Sequence, residues 1–177
     1  MPKTLIVQKD SKVLREIASE VPLKDIQTKK IKDVISKMKK AVHGEEDGVA
    51  IAAPQIGESL CIFVVSGRAL AIQEKEKNEK IKEAFPDLVF INPKLSRLSR
   101  KKRRMEEGCL SVRWLYGKVE RSERASIRAY DEKGRKVERG ASGLLAQIFQ
   151  HEVDHLNGVL FIDKATNLED LPPKQNE

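Results

Sequence analysis

The sequence predicts an α+β fold, and three observations support this prediction. Apolar residues recur at helical spacing in two segments, from about residue 25 to 42 and from 142 to 157. Short apolar or alternating runs, which are typical of strands, occur at 60–65, 88–92, 124–130 and 135–139. Because these helices and strands do not alternate as βαβ units, a doubly wound parallel sheet is not expected.

The elements follow in this order. A helix over residues 12–19 precedes a longer one from Asp25 to Val42, whose apolar stripe contains Ile26, Ile31, Val34, Ile35 and Met38. The strands expected at 124–130 and 135–139 are joined by a turn at residues 131–134, which predicts a hairpin. A short strand at 159–162 is expected to close the fold. A chain of 177 residues is long enough to bury one core, so a single domain over 1–177 is expected.

The helix at 142–157 carries the most informative pattern. Ser142 is its predicted N-cap and Gly158 its predicted stop signal. One stripe of this helix, at the 3.6-residue period, contains Leu144, Ile148, His151 and His155. A buried pair of unpartnered imidazoles is costly, so the position of these two histidines favours a bound metal ion.

His151 and His155 form an H-E-x-x-H pattern with Glu152. Residues four apart on a helix lie one above the other, so both imidazoles can bind one metal ion. Glu152 lies roughly 100° around the helix from His151 and can reach a water bound to that metal. Asp154 lies towards the other flank, where it either faces solvent or orients a neighbouring residue, and we favour the second.

A catalytic metal site commonly has a third protein ligand and one open position. Cys109, in the segment 106–111, is one candidate, and the downstream carboxylates are the others: Asp163, Glu169 and Asp170. Spacing alone leaves Cys109 and a carboxylate at even odds. Cys61 lies in an apolar run and is expected to act as a small hydrophobic residue. A disulfide between the two cysteines is the alternative, but no secretion signal favours it.

Three motifs make the chain resemble the peptide deformylases of bacteria and organelles. They are G-V-A-I-A-A-P-Q-I-G at 48–57, E-G-C-L-S-V at 107–112 and Q-H-E-V-D-H-L-N-G at 150–158. The resemblance covers most of residues 4–163. It implies the family's fold, in which mixed or antiparallel sheets pack around a central metal-binding helix. It also implies the family's reaction, removal of the formyl group from the N-terminal formyl-methionine of newly made polypeptides.

The resemblance also implies a role for individual residues. The metal ligands would be Cys109, His151 and His155, and Glu152 would be the general acid and base. Gln55 and the backbone N–H of Leu110 would stabilise the oxyanion. The implied cofactor is one divalent metal ion, often ferrous iron, and zinc, nickel or cobalt can occupy the same ligands. This chemistry is consistent with the residues, because a bound metal activates water and a carboxylate can carry its proton.

The peptide-binding residues implied by motif position are Val49, Ala50, Ile51, Gly108, Ile148 and Phe149, and Val49, Ile51, Ile148 and Phe149 would line the methionine pocket. Two positions depart from the usual family pattern. Ala50 stands where the family has a second glycine, and Arg113 where it has proline. Both are expected to affect peptide engagement rather than metal binding.

Three segments are expected to be peripheral: a charged insertion at 74–83, a basic loop at 97–104 and a C-terminal tail at 164–177. The basic loop contributes much of the net charge of +7. A basic run of this kind is usually a solvated loop, and the alternative is that it contacts the phosphates of ribosomal RNA. No aromatic residues interrupt it, so sequence-specific nucleic-acid binding is not expected.

No signal peptide or long apolar run is recognisable, so a cytoplasmic protein without a membrane segment is expected. Two alternatives to a deformylase remain at this point. One is a metallopeptidase that shares the H-E-x-x-H pattern, and the other is a catalytically weak relative that binds peptides or ribosomes. The intact set of Gln55, Cys109, His151, Glu152 and His155 favours an active deformylase.

Overall fold

The computed structural model describes residues 5–78 and 84–173. Its α-helices are α1 (Lys29–His43), α2 (Gly67–Lys77) and α3 (Gly143–Leu156). Its strands are β1 (Ala50–Ala52), β2 (Ile62–Val65), β3 (Leu88–Leu98), β4 (Lys102–Gly108), β5 (Leu115–Ser122), β6 (Arg124–Tyr130), β7 (Lys136–Ser142) and β8 (Thr166–Asp170).

The strands form two antiparallel sheets. One has the order β1-β2-β3-β6-β7 and the other the order β4-β5-β8. Helix α3 contacts strands of both sheets, so the α+β fold with sheets around the H-E-x-x-H helix is confirmed. Within the described ranges, no helix has the length and apolar character that crossing a bilayer requires.

The five-stranded sheet is covered on both faces. Phe63 and Phe90 point to α3, where their rings stack at a centroid distance of 4.8 Å and contact Phe149. On the other face Ile51 and Val64 pack against the apolar stripe of α1. Because side chains alternate along a strand, neighbouring residues of β1 enter opposite cores. This packing fixes α3 and β1 side by side.

Two predictions near the ends of the fold are wrong. The helix expected at 12–19 is only a 3-10 turn at Lys12–Arg15. The following residues are held extended, because the Ala18 N–H donates to the Leu156 carbonyl at the end of α3. The strand expected at 159–162 is replaced by a 3-10 turn at Phe161–Asp163, in which the Asp163 carboxylate accepts from the Leu160 N–H.

Helix α1 begins at Lys29 rather than near residue 25. Residues 23–25 form a separate 3-10 turn, and the Thr28 hydroxyl donates to the Asp25 carbonyl just before the helix. The hairpin predicted at 124–139 is present as β6 and β7. In its turn the Asp131 carboxylate accepts from two backbone N–H groups, those of Lys133 and Arg135.

The segments expected to be peripheral contain regular structure. The basic run at 97–104 is only partly a loop, because β3 extends to Leu98 and β4, a strand of the other sheet, begins at Lys102. The first residues of the charged segment, from 74 to 77, are the last turn of α2, and residues 79–83 lie outside the described ranges. The tail contributes β8, which pairs with β5, and its residues 174–177 are likewise outside those ranges.

Candidate metal centre

Helix α3 places its two histidines on the face between the sheets. The imidazole rings of His151 and His155 are 4.9 Å apart between centroids, and His155 is 1% exposed. The helix ends at Leu156 with Asn157 as its C-cap, and Gly158 follows with a φ of 72°, a left-handed conformation that favours glycine. Ser142 is the N-cap residue as predicted, although its side chain makes no capping hydrogen bond.

Cys109 reaches the histidines from the loop after β4. Its Sγ lies 3.2 Å from Nε2 of His155. One ligand atom from each of Cys109, His151 and His155 can be chosen so that all lie within 4.8 Å of one another. Among the described residues this is the sole group of at least three such side chains that could hold a metal ion. A thiolate and two imidazoles suit a divalent transition metal.

The downstream carboxylates considered as the alternative third ligand are occupied elsewhere or exposed. Asp163 forms a salt bridge with Arg15 at 2.6 Å and also binds a backbone N–H. Glu169 and Asp170 lie on the exposed strand β8. The geometry therefore favours Cys109 as the partner of the two histidines.

A buried chain of charges orients His151. Its Nδ1 lies 2.9 Å from a carboxylate oxygen of Glu107, which leaves Nε2 as the ring nitrogen available to a metal. The Arg121 guanidinium donates to both oxygens of Glu107, at 2.7 and 2.9 Å, and to Asp154 at 2.7 Å. Burial would raise the pKa of Glu107, but hydrogen bonds from Arg121 and His151 outweigh it and lower the value to about 2.

Sequence reasoning assigned no role to Glu107 or Arg121. Glu107 belongs to a quoted motif, but nothing in its spacing shows that it binds a histidine 44 residues away. The favoured interpretation of Asp154, as a residue that orients a neighbour, is the arrangement found here. Its carboxylate binds both Arg121 and Lys164.

Glu152 is 3% exposed and borders the same cavity as Cys109 and His151. Burial raises the pKa of this carboxyl group to about 7. Its Oε2 atom has no hydrogen-bond partner within residues 5–78 and 84–173. A buried carboxylate oxygen without a partner is costly, so its position beside the Cys–His–His group suits a role towards a bound group.

Gln55 approaches the cysteine from the other side. Its side-chain oxygen accepts from the Ala52 N–H at 2.8 Å, which fixes the amide orientation. The amide nitrogen donates to the Ser111 hydroxyl at 3.1 Å and lies 3.5 Å from the Cys109 sulfur. Leu110, the residue after the cysteine, also borders the cavity. Two candidate donors thus lie beside the metal-binding group.

The cavity brings together four of the six residues expected to bind peptide: Val49, Ala50, Gly108 and Ile148. Ile51 and Phe149 do not border it, because Ile51 faces α1 and Phe149 packs between Phe63 and Phe90. Gly108 also has a packing role, since a Cβ there would lie 2.7 Å from the Tyr116 ring. Arg113, which the sequence predicted to affect peptide engagement, also borders the cavity, next to Trp114. The sequence did not predict its other walls, which include Asp47, Val112, Leu115, Tyr116, Leu144 and Gln147.

Helix α3 carries an H-E-x-x-H pattern, and Cys109 lies beside its two histidines. The buried carboxyl group of Glu152, whose pKa is raised, lies next to them. Together these features define a metal-binding hydrolase. The family model described as polypeptide deformylase matches residues 3–170. The chain belongs to the peptide deformylase family, and it is therefore an enzyme of protein biosynthesis that hydrolyses a linear amide.

Relatives support this membership over most of the chain. A peptide deformylase from Desulforudis audaxviator is 37% identical over 92% of this chain and 94% of its own length. The chloroplastic peptide deformylase 1A of Solanum lycopersicum is 38% identical over 90% of this chain and 58% of its own length. A class I type b peptide deformylase from Acinetobacter baumannii, solved with Met-Ala-Ser bound, superposes with a TM-score of 0.79. It is 30% identical, and the match covers 93% of this chain and 100% of that one.

Proposed function

We propose that this enzyme removes the N-formyl group from the formyl-methionine of newly made polypeptides, with residues 1–177 acting as one catalytic domain. The observation that supports this most is the position of Glu152. Its carboxyl group is buried, lacks a partner for Oε2 among the described residues, and borders the cavity that contains Cys109 and His151. A deformylase needs a proton carrier at this place.

Cys109, His151 and His155 would hold one divalent metal ion, with His155 and His151 binding through Nε2. The bound ion would supply Lewis-acid activation of water, lowering its pKa to about 7. Ferrous iron is the proposed native metal by resemblance to the family, and zinc, nickel or cobalt suit the same ligands. Glu107 would keep His151 in the tautomer that leaves Nε2 free to bind.

Glu152 would accept the proton of the attacking water and deliver it to the departing amine. A pKa of about 7 suits both transfers, because the group can exist in either state near neutral pH. The Gln55 amide nitrogen and the Leu110 N–H would donate to the negative oxygen formed at the formyl carbon. Each such donor typically contributes about 3 kcal/mol to transition-state stabilisation.

The free edge of β1 would bind the peptide backbone. The Ser66 N–H donates to the Val49 carbonyl, so residues 49 and 66 are a hydrogen-bonded pair of the β1–β2 ladder. By alternation, the backbone groups of Ala50 point away from β2, towards the cavity. An extended peptide can therefore pair with this edge, as in other cases of strand addition. The deformylase solved with Met-Ala-Ser shows that a relative binds such a peptide.

The methionine side chain would enter the apolar part of the cavity. Val49, Leu144 and Ile148 border it together with Gly108. Ile51 and Phe149 would act on this pocket only by supporting its walls, because both are buried in the cores on either side. This pocket accommodates an unbranched apolar side chain beside the reacting centre.

The basic run at 97–104, where the chain passes from β3 to β4, is a second proposed contact, with phosphates of ribosomal RNA. Most of its charged side chains are exposed, and only Lys101 and Lys102 have salt-bridge partners among the described residues, Glu123 and Glu120. Such a contact would bring the enzyme to nascent chains in the cytoplasm, without base-specific recognition. Replacing Arg100, Arg103 and Arg104 by Gln should weaken cosedimentation with ribosomes and leave hydrolysis of a short peptide unchanged.

The proposed activity is tested by formate release from formyl-Met-Ala-Ser by iron- and nickel-loaded protein. We expect formate and intact Met-Ala-Ser as products, with no cleavage of unformylated Met-Ala-Ser. Cleavage of peptide bonds would indicate a metallopeptidase. Fully metallated protein that binds the peptide without releasing formate would indicate a catalytically weak relative.

A further inference from the structure

The N-terminal segment 5–8 contacts both sides of the candidate metal centre. The Val7 N–H donates to the backbone carbonyl of Gln55 at 2.9 Å. The Gln8 amide nitrogen donates to the backbone carbonyl of Leu110 at 3.1 Å. Gln55 and Leu110 are the two proposed oxyanion donors, and none of the three sequence motifs contains residues 5–8. A segment far from those motifs in sequence therefore connects the two donors.

The peptide group between Leu110 and Ser111 is held at both ends. Its carbonyl oxygen accepts from Gln8, and its N–H, which belongs to Ser111, donates to the Cys109 sulfur at 3.4 Å. This peptide bond is trans and planar, so its C=O and N–H point in opposite directions and turn together. The Gln8 hydrogen bond therefore fixes the direction of the N–H that meets the sulfur.

The Gln8 side chain makes this contact without supporting the core. Gln8 is exposed, and its amide nitrogen also donates to the Ile6 carbonyl of its own segment, at 3.3 Å. Ile6 and Val7 pack against two separate apolar clusters, and Val7 shares its cluster with Cys109. Because these neighbours fix the backbone of the segment, changing the Gln8 side chain removes a hydrogen bond and leaves the packing in place.

A hydrogen bond to sulfur matters most when the sulfur is a charged metal ligand. The donor stabilises the negative charge of a thiolate, so the sulfur gives less electron density to the metal. Hydrogen bonds to ligating sulfurs are among the means by which proteins tune a bound metal. In this chain the donor is a backbone N–H, so its direction depends on what holds the other end of the same peptide group.

We infer that Gln8 is a positioning residue of the metal centre, which through the Leu110 carbonyl keeps the Ser111 N–H directed at the Cys109 sulfur. The inference rests on the proposed function, since it requires Cys109 to bind the metal. Gln8 is not among the described residues that border the cavity, so it offers no contact to a peptide bound there. Its replacement should therefore change the metal and the turnover number, kcat, more than KM.

The test is the absorption spectrum of the cobalt-loaded protein, in which a thiolate ligand gives a sulfur-to-cobalt charge-transfer band. Gln8→Met keeps a side chain of similar length but removes the donor. The sulfur then becomes richer in electrons, and the band should move to longer wavelength. Gln8→Glu keeps the shape of the side chain without an N–H and should move the band in the same direction.

Gln27→Met is the matched control. Gln27 is also exposed, and its amide nitrogen likewise donates to a backbone carbonyl, that of Lys133 in the turn between β6 and β7. Its replacement removes a hydrogen bond of the same kind without touching the segment 5–8. The charge-transfer band, the metal affinity and kcat should all stay at their wild-type values.

Metal affinity and turnover provide two further measurements for Gln8→Met. Competition with a chelator should show cobalt bound about three- to tenfold more weakly, less than the 10- to 100-fold typical when a ligand's own partner is replaced. For formyl-Met-Ala-Ser, kcat should fall by a similar factor, and KM should change less than about twofold.

A purely structural role for Gln8 would lower the melting temperature and leave the band of the fully loaded protein in place. An unshifted band in Q8M and Q8E would therefore overturn this inference and leave the proposed function standing. A shifted band in protein that releases no formate would support the inference and overturn the proposed function. A wild-type spectrum without a thiolate band would remove Cys109 from the ligands and overturn the inference.

Discussion

Nδ1 of His151 lies 2.9 Å from a carboxylate oxygen of Glu107, a residue that is itself held by two hydrogen bonds from Arg121. The proposed metal ligand is thus fixed in orientation before any metal binds. Glu107 is 5% exposed and Arg121 is 4% exposed, so water competes little for the hydrogen bonds between them. Because Arg121 binds Glu107 and Glu107 binds His151, replacing Glu107 should change metal affinity, and replacing Arg121 should change the free energy of unfolding.

Glu107→Gln should weaken metal binding by about 10- to 100-fold, because an amide holds the His151 ring less firmly and lends it less basicity. Competition with a coloured chelator would measure the affinity. Glu120→Gln, which removes an exposed carboxylate from the neighbouring strand β5, is the matched control and should have no effect. Equal affinities for Glu107→Gln and wild type would mean that the contact does not serve the metal.

Arg121→Met should reduce the free energy of unfolding by about 3–5 kcal/mol, because it leaves the buried Glu107 carboxylate without its cation. Urea denaturation of the metal-free protein would measure this. Arg128→Met breaks an exposed ion pair of the same type and should cost less than about 1 kcal/mol. Similar losses in the two variants would show that the buried pair contributes no more than a surface one.

Cys109 and Cys61 should differ in their response to a chelator. A thiolate that binds metal is protected from alkylation and becomes reactive once the metal leaves. Burial raises the pKa of the Cys61 thiol to about 11, so it should react slowly in both states and serve as an internal control. Mass spectrometry after a short iodoacetamide pulse would report both sites. Equal labelling of Cys109 with and without metal would exclude it as a ligand.

Ala50→Gly and Arg113→Pro restore the residues usual in the family, and the sequence predicted that both positions affect peptide engagement. The structure changes this expectation. The Ala50 methyl packs in the core with Phe63 and Phe149, away from the backbone edge. Ala50→Gly should therefore lower the free energy of unfolding by about 1 kcal/mol and change kcat/KM less than about threefold.

Arg113→Pro should lower kcat/KM, because it removes the ion pairs with Glu45 and Asp47 that hold the Cys109 loop. Steady-state formate release at matched metal content would measure the effect for both reversions. An increase in kcat/KM of tenfold or more in either variant would contradict this and show that the present residue impairs peptide engagement.

The sequence predicted the parts of the fold that depend on local patterns. The 3.6-residue period located α3, and the turn at 131–134 located the hairpin of β6 and β7. It did not predict the sheet of β4, β5 and β8. Its strands are rich in charged residues, and β4 has only one fully buried residue, Glu107, so neither alternation nor apolar character marks it as a strand.

The candidate site shows the same division between local and distant contacts. The spacing of His151 and His155 is a local property of a helix, so the sequence alone was enough to predict that both could bind one metal ion. The third member, Cys109, was one of several candidates until three motifs suggested a family. Arg121 was given no role from the sequence, because it acts through a carboxylate 14 residues away in the chain. Arg113 was expected to affect peptide engagement, but its ion pair with Asp47, 66 residues away, was not predicted. Ile51 and Phe149 were placed in the methionine pocket by motif position, but side-chain direction turns both into the cores.

The most direct test of the account concerns Glu152, which is proposed to carry a proton without binding the metal. The measurement is metal content together with formate release from formyl-Met-Ala-Ser, for Glu152→Gln and wild type. We expect equal metal content and a fall in turnover of about 10²- to 10⁴-fold, the usual contribution of a general acid and base. A variant that loses its metal, or that keeps near-normal turnover, would contradict the assigned role.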